Sequence, residues 1–195
     1  VDYYMDYANV PDINIIVNGS EEQAQIEDWL KNEAPGVTAY GHNSMISMME
    51  KDIHMEKDGD ASAFTTDGAS LYMATTDADY CKVFDTAGRP LDLQAGELAM
   101  TQSLMDKNGI TPGDLLTIRA GDITKTLTVK SALKDAAYGS EMVGMSRIII
   151  SPEDYSAYTK EHQDMLDLYY VDTENSSAFS DSLNSQGFMT VMNSF

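Results

Sequence analysis

The chain has little positive charge, a single cysteine and no long apolar segment. Twelve Lys and Arg residues stand against 32 Asp and Glu residues, a net charge of −20 that repels phosphate backbones and argues against nucleic acid as a partner. Cys81 is alone, so an internal disulfide is impossible, and we expect a buried, inert thiol in a helix-like DADYCKVF stretch. No apolar run approaches the roughly 18 residues of a membrane span.

The segment from Gly96 to Leu133 carries the clearest structural pattern. It predicts a short strand and then a helix that follows the N-cap Thr101 and ends at Gly109. In the Thr111-Pro112-Gly113-Asp114 turn that comes next, proline and glycine supply the backbone angles of a tight turn. Apolar and polar residues then alternate around a Gly121-Asp122 bend, which predicts a half-buried hairpin.

The two ends of the chain repeat a β-α-β order. A Ser20 and Gln23 capping box opens the first helix, and Gly187 ends the last one. Two such units can pair into one split β-α-β sheet. The expected strands are 12–18, 37–49, 166–171 and 188–192, and the second of the two helices is expected at 176–186.

We therefore predict an α+β fold with two parts. Residues 1–50 and 159–195 form the split sheet, and residues 51–158 form an inserted mixed α/β subdomain that contains the hairpin. Within the insertion, residues 70–75 and 147–150 are predicted strands, and Ser151-Pro152-Glu153-Asp154 opens a helix. Residues 51–68 are expected to be an exposed connection.

Several short patterns could carry catalytic chemistry. Ser131 and Lys134 match the S-x-x-K form, in which lysine activates serine, but the companion motifs are absent and the serine ends a predicted strand. Ser44 lacks the closing glycine of a nucleophile elbow. The three histidines stand too far apart in sequence for an i,i+4 zinc pair, at His42, His54 and His162.

Two rows of residues contain ligand types that metals accept. Glu50, Asp52, His54 and Glu56 alternate, as they also would on the wet face of a strand. A row of methionines could bind Cu(I), form a flexible apolar contact surface, or fill a core, which is the default interpretation: Met45, Met48, Met49 and Met55. No glycine-rich phosphate loop occurs. We therefore predict no catalytic, cofactor-binding or metal-binding residues, and no enzyme.

Taken in order, these elements resemble a known family. A strand GELAM, a helix ending in KNGITPGD, strands LLTI and TLTV, and a later apolar strand followed by SPEDY are similar to the large extracytoplasmic domain of MacB/FtsX-like ABC transporter permeases. The resemblance covers most of the chain in the order of its elements. Its specific matches lie in Gly96–Leu133 and Arg147–Tyr155.

The resemblance implies a porter-like part at the chain ends and a domain that sits between two transmembrane helices, outside the cytoplasmic membrane. It implies a dimeric permease and a cytoplasmic ATPase as partners, with a peptide, lipoprotein or other protein as a possible extracytoplasmic partner. The domain would be a lever or receptor without chemistry of its own. We thus expect the chain to be a piece of a longer protein; the alternatives are a stand-alone secreted or tethered binding module and, third, an extracellular hydrolase.

Overall fold

The structure is a computed structural model, and it describes residues 8–17, 19–57, 60–138, 144–160 and 164–192. Within these residues the helices are α1 Gly19–Asn32, α2 Gln102–Asn108, α3 Pro152–Thr159 and α4 Ser176–Gln186, with a 3-10 turn at Glu50–Asp52. The strands are β1 Ile13–Val17, β2 Val37–Met48, β3 Ile53–Lys57, β4 Asp60–Ala63, β5 Ser70–Thr75, β6 Phe84–Asp85, β7 Glu97–Thr101, β8 Leu115–Ala120, β9 Ile123–Lys134, β10 Met145–Ile150, β11 Met165–Thr173 and β12 Met189–Met192.

All of these strands belong to one mixed sheet. Its order is β12-β1-β11-β2-β5-β10-β7-β9-β8-β3-β4, with β6 paired to β9 outside this path. Two of the pairings, β5 with β10 and β7 with β9, are parallel. The predicted α+β class is confirmed.

The chain ends form the predicted split β-α-β arrangement, which we call the terminal unit (β1, α1, β2, β11, α4 and β12). Its strand order β12-β1-β11-β2 interleaves the two β-α-β segments. Both helices bury one stripe against the sheet: α1 contributes Trp29 and α4 contributes Phe179, whose rings lie 5.1 Å apart. Asn175 caps α4, and Gly187 ends it in the left-handed conformation.

The elements between β2 and β11 form what we call the inserted unit. The helix and turn signals behave there as predicted: the Thr101 hydroxyl accepts the Leu104 amide, and Gly109 adopts a φ of 63°. Gly113 needs a φ of 97° in the following turn. Helix α3 begins with Ser151 as N-cap and proline at its first position. None of the described helices is long and apolar enough to cross a membrane.

Three groups of buried apolar residues fill the two faces of the sheet. One lies in the terminal unit around Trp29 and Phe179, and one lies in the inserted unit around Leu116 and Ile150. The third, which we call the shared core, joins Met45, Leu168 and Tyr170 of the terminal unit to the opposite face of the inserted unit: Ala74, Tyr80, Cys81, Val83, Leu91, Leu93, Ala99, Leu133, Ala137, Tyr138 and Ile149. The two units are therefore packed together and not only strung along one chain.

Three local predictions were wrong. Ser20 lies inside α1 and does not cap it, because the helix already includes Gly19. The DADYCKVF stretch is not a helix. Cys81 has a φ of 55°, and the amides of Cys81 and Lys82 donate to the carbonyl oxygens of Asn9 and Ala8, respectively. Residues 51–68 are not simply a connection, because β3 and β4 form a hairpin that extends the sheet.

Candidate functional site at the junction of the two units

The S-x-x-K pair does not form a catalytic site. Ser131 and Lys134 lie on β9, where residues three apart project from opposite faces of the sheet. A lysine must reach its serine within hydrogen-bond distance to activate it. The strand geometry keeps the two side chains apart.

Ser44 and His42 lie near each other on β2 but bind different partners. The Ser44 hydroxyl lies 3.1 Å from Oη of Tyr155 on α3. His42 Nε2 lies 3.2 Å from Oδ1 of Asp167 on β11. A serine nucleophile needs its histidine as the hydrogen-bonded base. This arrangement instead ties three elements of the structure together. His162 lies outside the described residues.

The alternating acidic row is broken by a change of structure. Glu50 and Asp52 lie in the 3-10 turn, and only the last two members of the row lie on β3. Oε1 of Glu50 accepts the amide and the hydroxyl of Thr66, both at 2.6 Å, while Oδ1 of Asp52 pairs with Arg119 at 3.1 Å. Across the part of the chain that the structure describes, no three His, Cys, Asp or Glu residues are grouped to hold a metal ion.

The four methionines are divided among different places. Met45 is buried in the shared core, while Met48, at the end of β2, and Met55 are buried on the other face in the apolar group around Leu116 and Ile150. Met49 is 60% exposed. Core filling therefore accounts for three of them, and only Met49 offers its thioether to solvent.

Only a short strand ladder joins the two units within the sheet. Strand β2 pairs with β11 from Val37 to Ile46, but its ladder with β5 has only three residue pairs, from Ile46↔Met73 to Met48↔Leu71. Beyond the end of this short ladder lies a cleft of about 190 Å³. Its walls include His42, Asn43 and Ser44 from β2, Thr75 and Asp77 from the inserted unit, and Tyr155 from α3.

The cleft has largely polar walls. Thr75 lines it, and the Oγ1 atom of this residue is buried without a hydrogen-bond partner in the described part of the chain. A buried hydroxyl in such a position is usually satisfied by water or a small polar group. A cleft of this size can hold a few water molecules.

Tyr155 closes one side of the junction. Its hydroxyl donates to the Ser44 carbonyl oxygen at 2.9 Å in addition to the contact with the Ser44 hydroxyl. Burial raises the pKa of Tyr155, so the hydroxyl keeps its proton and stays a donor. One side chain of the inserted unit is thereby bonded to β2, the strand of the terminal unit that borders the inserted unit.

Tyr80 closes the opposite face. Its ring stacks on Tyr170 with centroids 5.5 Å apart and covers Gly41 so closely that a Cβ there would lie 2.9 Å from the ring. The Tyr80 hydroxyl donates to Asp172 at 3.4 Å. Burial and this carboxylate raise the pKa of Tyr80 to about 12.

A buried ion pair anchors the loops over the shared core. Nε and Nη2 of Arg147 donate to the Asp135 carboxylate, at 2.8 and 2.9 Å, and Nη2 also donates to the Cys81 carbonyl oxygen. The guanidinium lies 4.5 Å from the Tyr138 ring centroid, and the Tyr138 and Tyr170 hydroxyls are 3.1 Å apart. Burial raises the pKa of the Cys81 thiol to about 11, in keeping with the predicted buried thiol.

Comparisons with known proteins give structural matches only. No family model and no curated protein matches the sequence. Three of the solved structures that match cover most of this chain. A protein from Bacillus anthracis assigned as a lipoprotein has a TM-score of 0.46 and 7% identity, over 92% of this chain and 96% of that one.

The other two are parts of ABC transporters. The periplasmic region of MacB from Actinobacillus actinomycetemcomitans has a TM-score of 0.42 and 11% identity, covering 92% of this chain and 87% of that one. The extracellular domain of the noncanonic ABC-type transporter YknZ from Gram-positive bacteria has a TM-score of 0.36 and 12% identity, covering 91% and 95%. Extracytoplasmic transporter domains are the class that the sequence resemblance indicated.

Sequence reasoning missed the residues that hold the junction and the loop over the shared core. Arg147 was the sole charge in an apolar strand, which is a signal for a buried ion pair, but nothing nearby in sequence names Asp135 as its partner. Tyr155 stood within the recognised SPEDY motif without a role. Gly41 gave no signal, since its requirement comes from a ring that lies far along the chain.

Proposed function

We propose that this chain is the extracytoplasmic domain of an ABC transporter permease, and that it acts without chemistry of its own. The observation that carries the proposal is the position of the first and last strands. Ile13 at the start of β1 is the register partner of Met192 at the end of β12, so the described chain enters and leaves the sheet side by side. Two neighbouring membrane helices could carry a domain joined in this way.

The packing of the junction supports a mechanical role. A displacement of the terminal unit would be passed on through the shared core, the Tyr155 bond and the ring of Tyr80. Because packed cores resist deformation, a small movement at the chain ends would become a rigid displacement of the inserted unit. The partners would be a second permease subunit, a cytoplasmic ATPase and a molecule outside the membrane.

The sequence of the native gene on both sides of this chain tests the proposal. We expect apolar runs of about 20 residues directly before Val1 and directly after Phe195. A signal peptide before Val1 together with a stop codon after Phe195 would contradict it and indicate a free secreted binding protein.

A second experiment tests the mechanical role in the full-length permease. Replacement of residues 51–158 by a short flexible linker should leave membrane insertion and ATPase assembly intact but abolish transport. Transport that persists in this variant would show that the inserted unit transmits nothing.

A further inference from the structure

A groove lies at the end of β2, apart from the junction cleft. Its volume is about 570 Å³, and it is lined by residues 47–51, 65–66 and 68–72. Met48, Met49, Leu71 and Tyr72 give it an apolar part, serine and threonine residues form much of the rest, and one acidic and one basic residue, Glu50 and Lys51, also line it. Met49 and Leu115 are the two large apolar side chains exposed among the described residues; Met49 lies in this groove, whereas Leu115 lines a separate pocket of only about 10 Å³.

The position of the groove separates it from the chain ends. The register places Ile13 beside Val171 and Val171 beside Tyr40, so the chain ends lie at the level of Tyr40 on β2. Met48 is eight residues farther along the strand, which at about 3.3 Å per residue is roughly 25 Å away. The groove therefore lies at the opposite end of β2 from the level at which the described chain enters and leaves the sheet.

The charge of the chain restricts what can bind there. With a net charge of −20, a second copy of this chain or an anionic lipid surface is repelled, whereas a positively charged partner is attracted. Glu50 contributes a fixed negative charge beside Met49, because hydrogen bonds from the hydroxyl and amide of Thr66 lower the pKa of this carboxyl. Both of those bonds use Oε1, and a carboxylate can accept about four.

We propose that this groove binds an extended segment of a positively charged protein partner, with one large apolar side chain of the segment placed against Met48, Met49 and Tyr72. Methionine suits such a contact because its unbranched, polarizable side chain adapts to different shapes. The choice of a protein over a membrane rests on the proposed function, since it assumes that the chain ends lead to the bilayer. Basic residues beside the apolar anchor would face Glu50.

Synthetic peptides test this on the isolated chain, without any transporter. The probes are short fluorescent peptides with a central Phe flanked by lysines, a central Ser flanked by lysines, and a central Phe flanked by glutamates. The first should bind about tenfold more tightly than either of the others, measured by fluorescence anisotropy. Equal binding of the two lysine peptides would overturn the proposal, because charge alone would then explain it.

Two matched variants locate the binding site. Met49→Ser should weaken binding of the first peptide by about tenfold, whereas Leu115→Ser, the same kind of change at the other exposed apolar residue, should leave it within about twofold. An equal loss in both variants, or no loss in Met49→Ser, would overturn the groove as the site. In the unmodified chain, NMR should show the Met49 methyl signal shifting on peptide addition and the Leu115 methyl signals unchanged.

Sedimentation velocity tests whether a second copy of this chain occupies the groove in place of a positively charged partner. Self-association that is lost in Met49→Ser would assign the groove to a second copy and overturn the proposed partner. A monomer at all concentrations agrees with it. Because these measurements use this chain alone, they can succeed even if the flanking gene sequence contradicts the transporter proposal, and they can fail while that proposal stands.

Discussion

Helices α1 and α4 cover one face of the terminal unit, whereas one face of the inserted unit is covered by a loop that contains only the two-residue strand β6. The helices bring regular apolar stripes that need nothing from distant residues to form. The loop has no such pattern and is held by the buried pair of Arg147 and Asp135 and by the ring of Tyr80. The comparison shows two ways of covering a sheet, one specified locally and one specified by long-range polar contacts.

The largest expected effect comes from breaking the ion pair that holds this loop. Asp135→Ala would leave the buried Arg147 guanidinium without its carboxylate, so we expect the free energy of unfolding to fall by about 3–5 kcal/mol. Urea denaturation measures this loss.

An exposed ion pair of the same unit provides the control. Asp52→Ala removes the partner of Arg119, which is 60% exposed, together with the 3.3 Å bond from the Met49 amide, and should cost about 1–2 kcal/mol in total. The double change Arg147→Met with Asp135→Leu should recover much of the stability, because apolar side chains can replace a buried pair. If Asp135→Ala costs no more than Asp52→Ala, the loop is not held as described.

Phe179→Ala tests how much the packing of α1 and α4 stabilises the terminal unit. Loss of this fully buried ring beside Trp29 should cost about 3–5 kcal/mol, from transfer and cavity terms together. Since the two units have the shared core, we expect one urea transition at a lower midpoint, with the same midpoint in the fluorescence of Trp29 and in circular dichroism. Two separated transitions would show that the units fold independently.

An intermediate effect is expected where the loop meets the terminal unit. Gly41→Ala places a methyl group against the Tyr80 ring and should cost about 1–3 kcal/mol. The same substitution in a Tyr80→Leu background should cost less, because the obstructing ring is absent. A similar cost in both backgrounds, by thermal or urea unfolding, would attribute the effect to the strand itself.

Tyr155→Phe should have a smaller effect at the other side of the junction. The change removes the hydrogen bond to the Ser44 carbonyl and keeps the ring, so we expect a loss of about 0.5–1.5 kcal/mol. Amide hydrogen exchange should increase most around residues 42–46. Faster exchange spread evenly over the sheet would mean that this bond does not hold the junction locally.

The smallest effect concerns Asp172, which accepts the Tyr80 hydroxyl. Burial raises the pKa of this carboxyl above its ordinary value of 3.8. The folded state therefore binds the Asp172 proton more strongly than the unfolded state does. As pH rises from about 3.8 through the raised pKa, this carboxyl loses its proton and its contribution to stability is lost. Asp172→Asn should be slightly more stable than the unmodified chain near neutral pH, and the difference should vanish near pH 3. A constant difference across that range would exclude the titration as its cause.

The parts of the fold that sequence predicted well are those with short-range signals. Thr101, Gly109, Ser151 and Gly187 each act through residues only a few positions away, and each ends or begins its helix as expected. Prediction failed at Cys81, where a helix-like composition was overridden by backbone bonds to residues 8 and 9, more than 70 positions earlier. The candidate site was hidden for the same reason, since its walls come from β2, β5 and α3.

The sequence by itself determined the α+β class, the two β-α-β ends and the hairpin after Gly113, because periodicity, caps and turns are properties of neighbouring residues. Only the tertiary structure decided that Ser44 meets Tyr155, that Arg147 meets Asp135 and that Met49 alone of its row stays exposed. Those outcomes depend on the packing of segments that are far apart in the chain. Local propensity carries no information about which distant side chain will satisfy a buried charge or cover a strand.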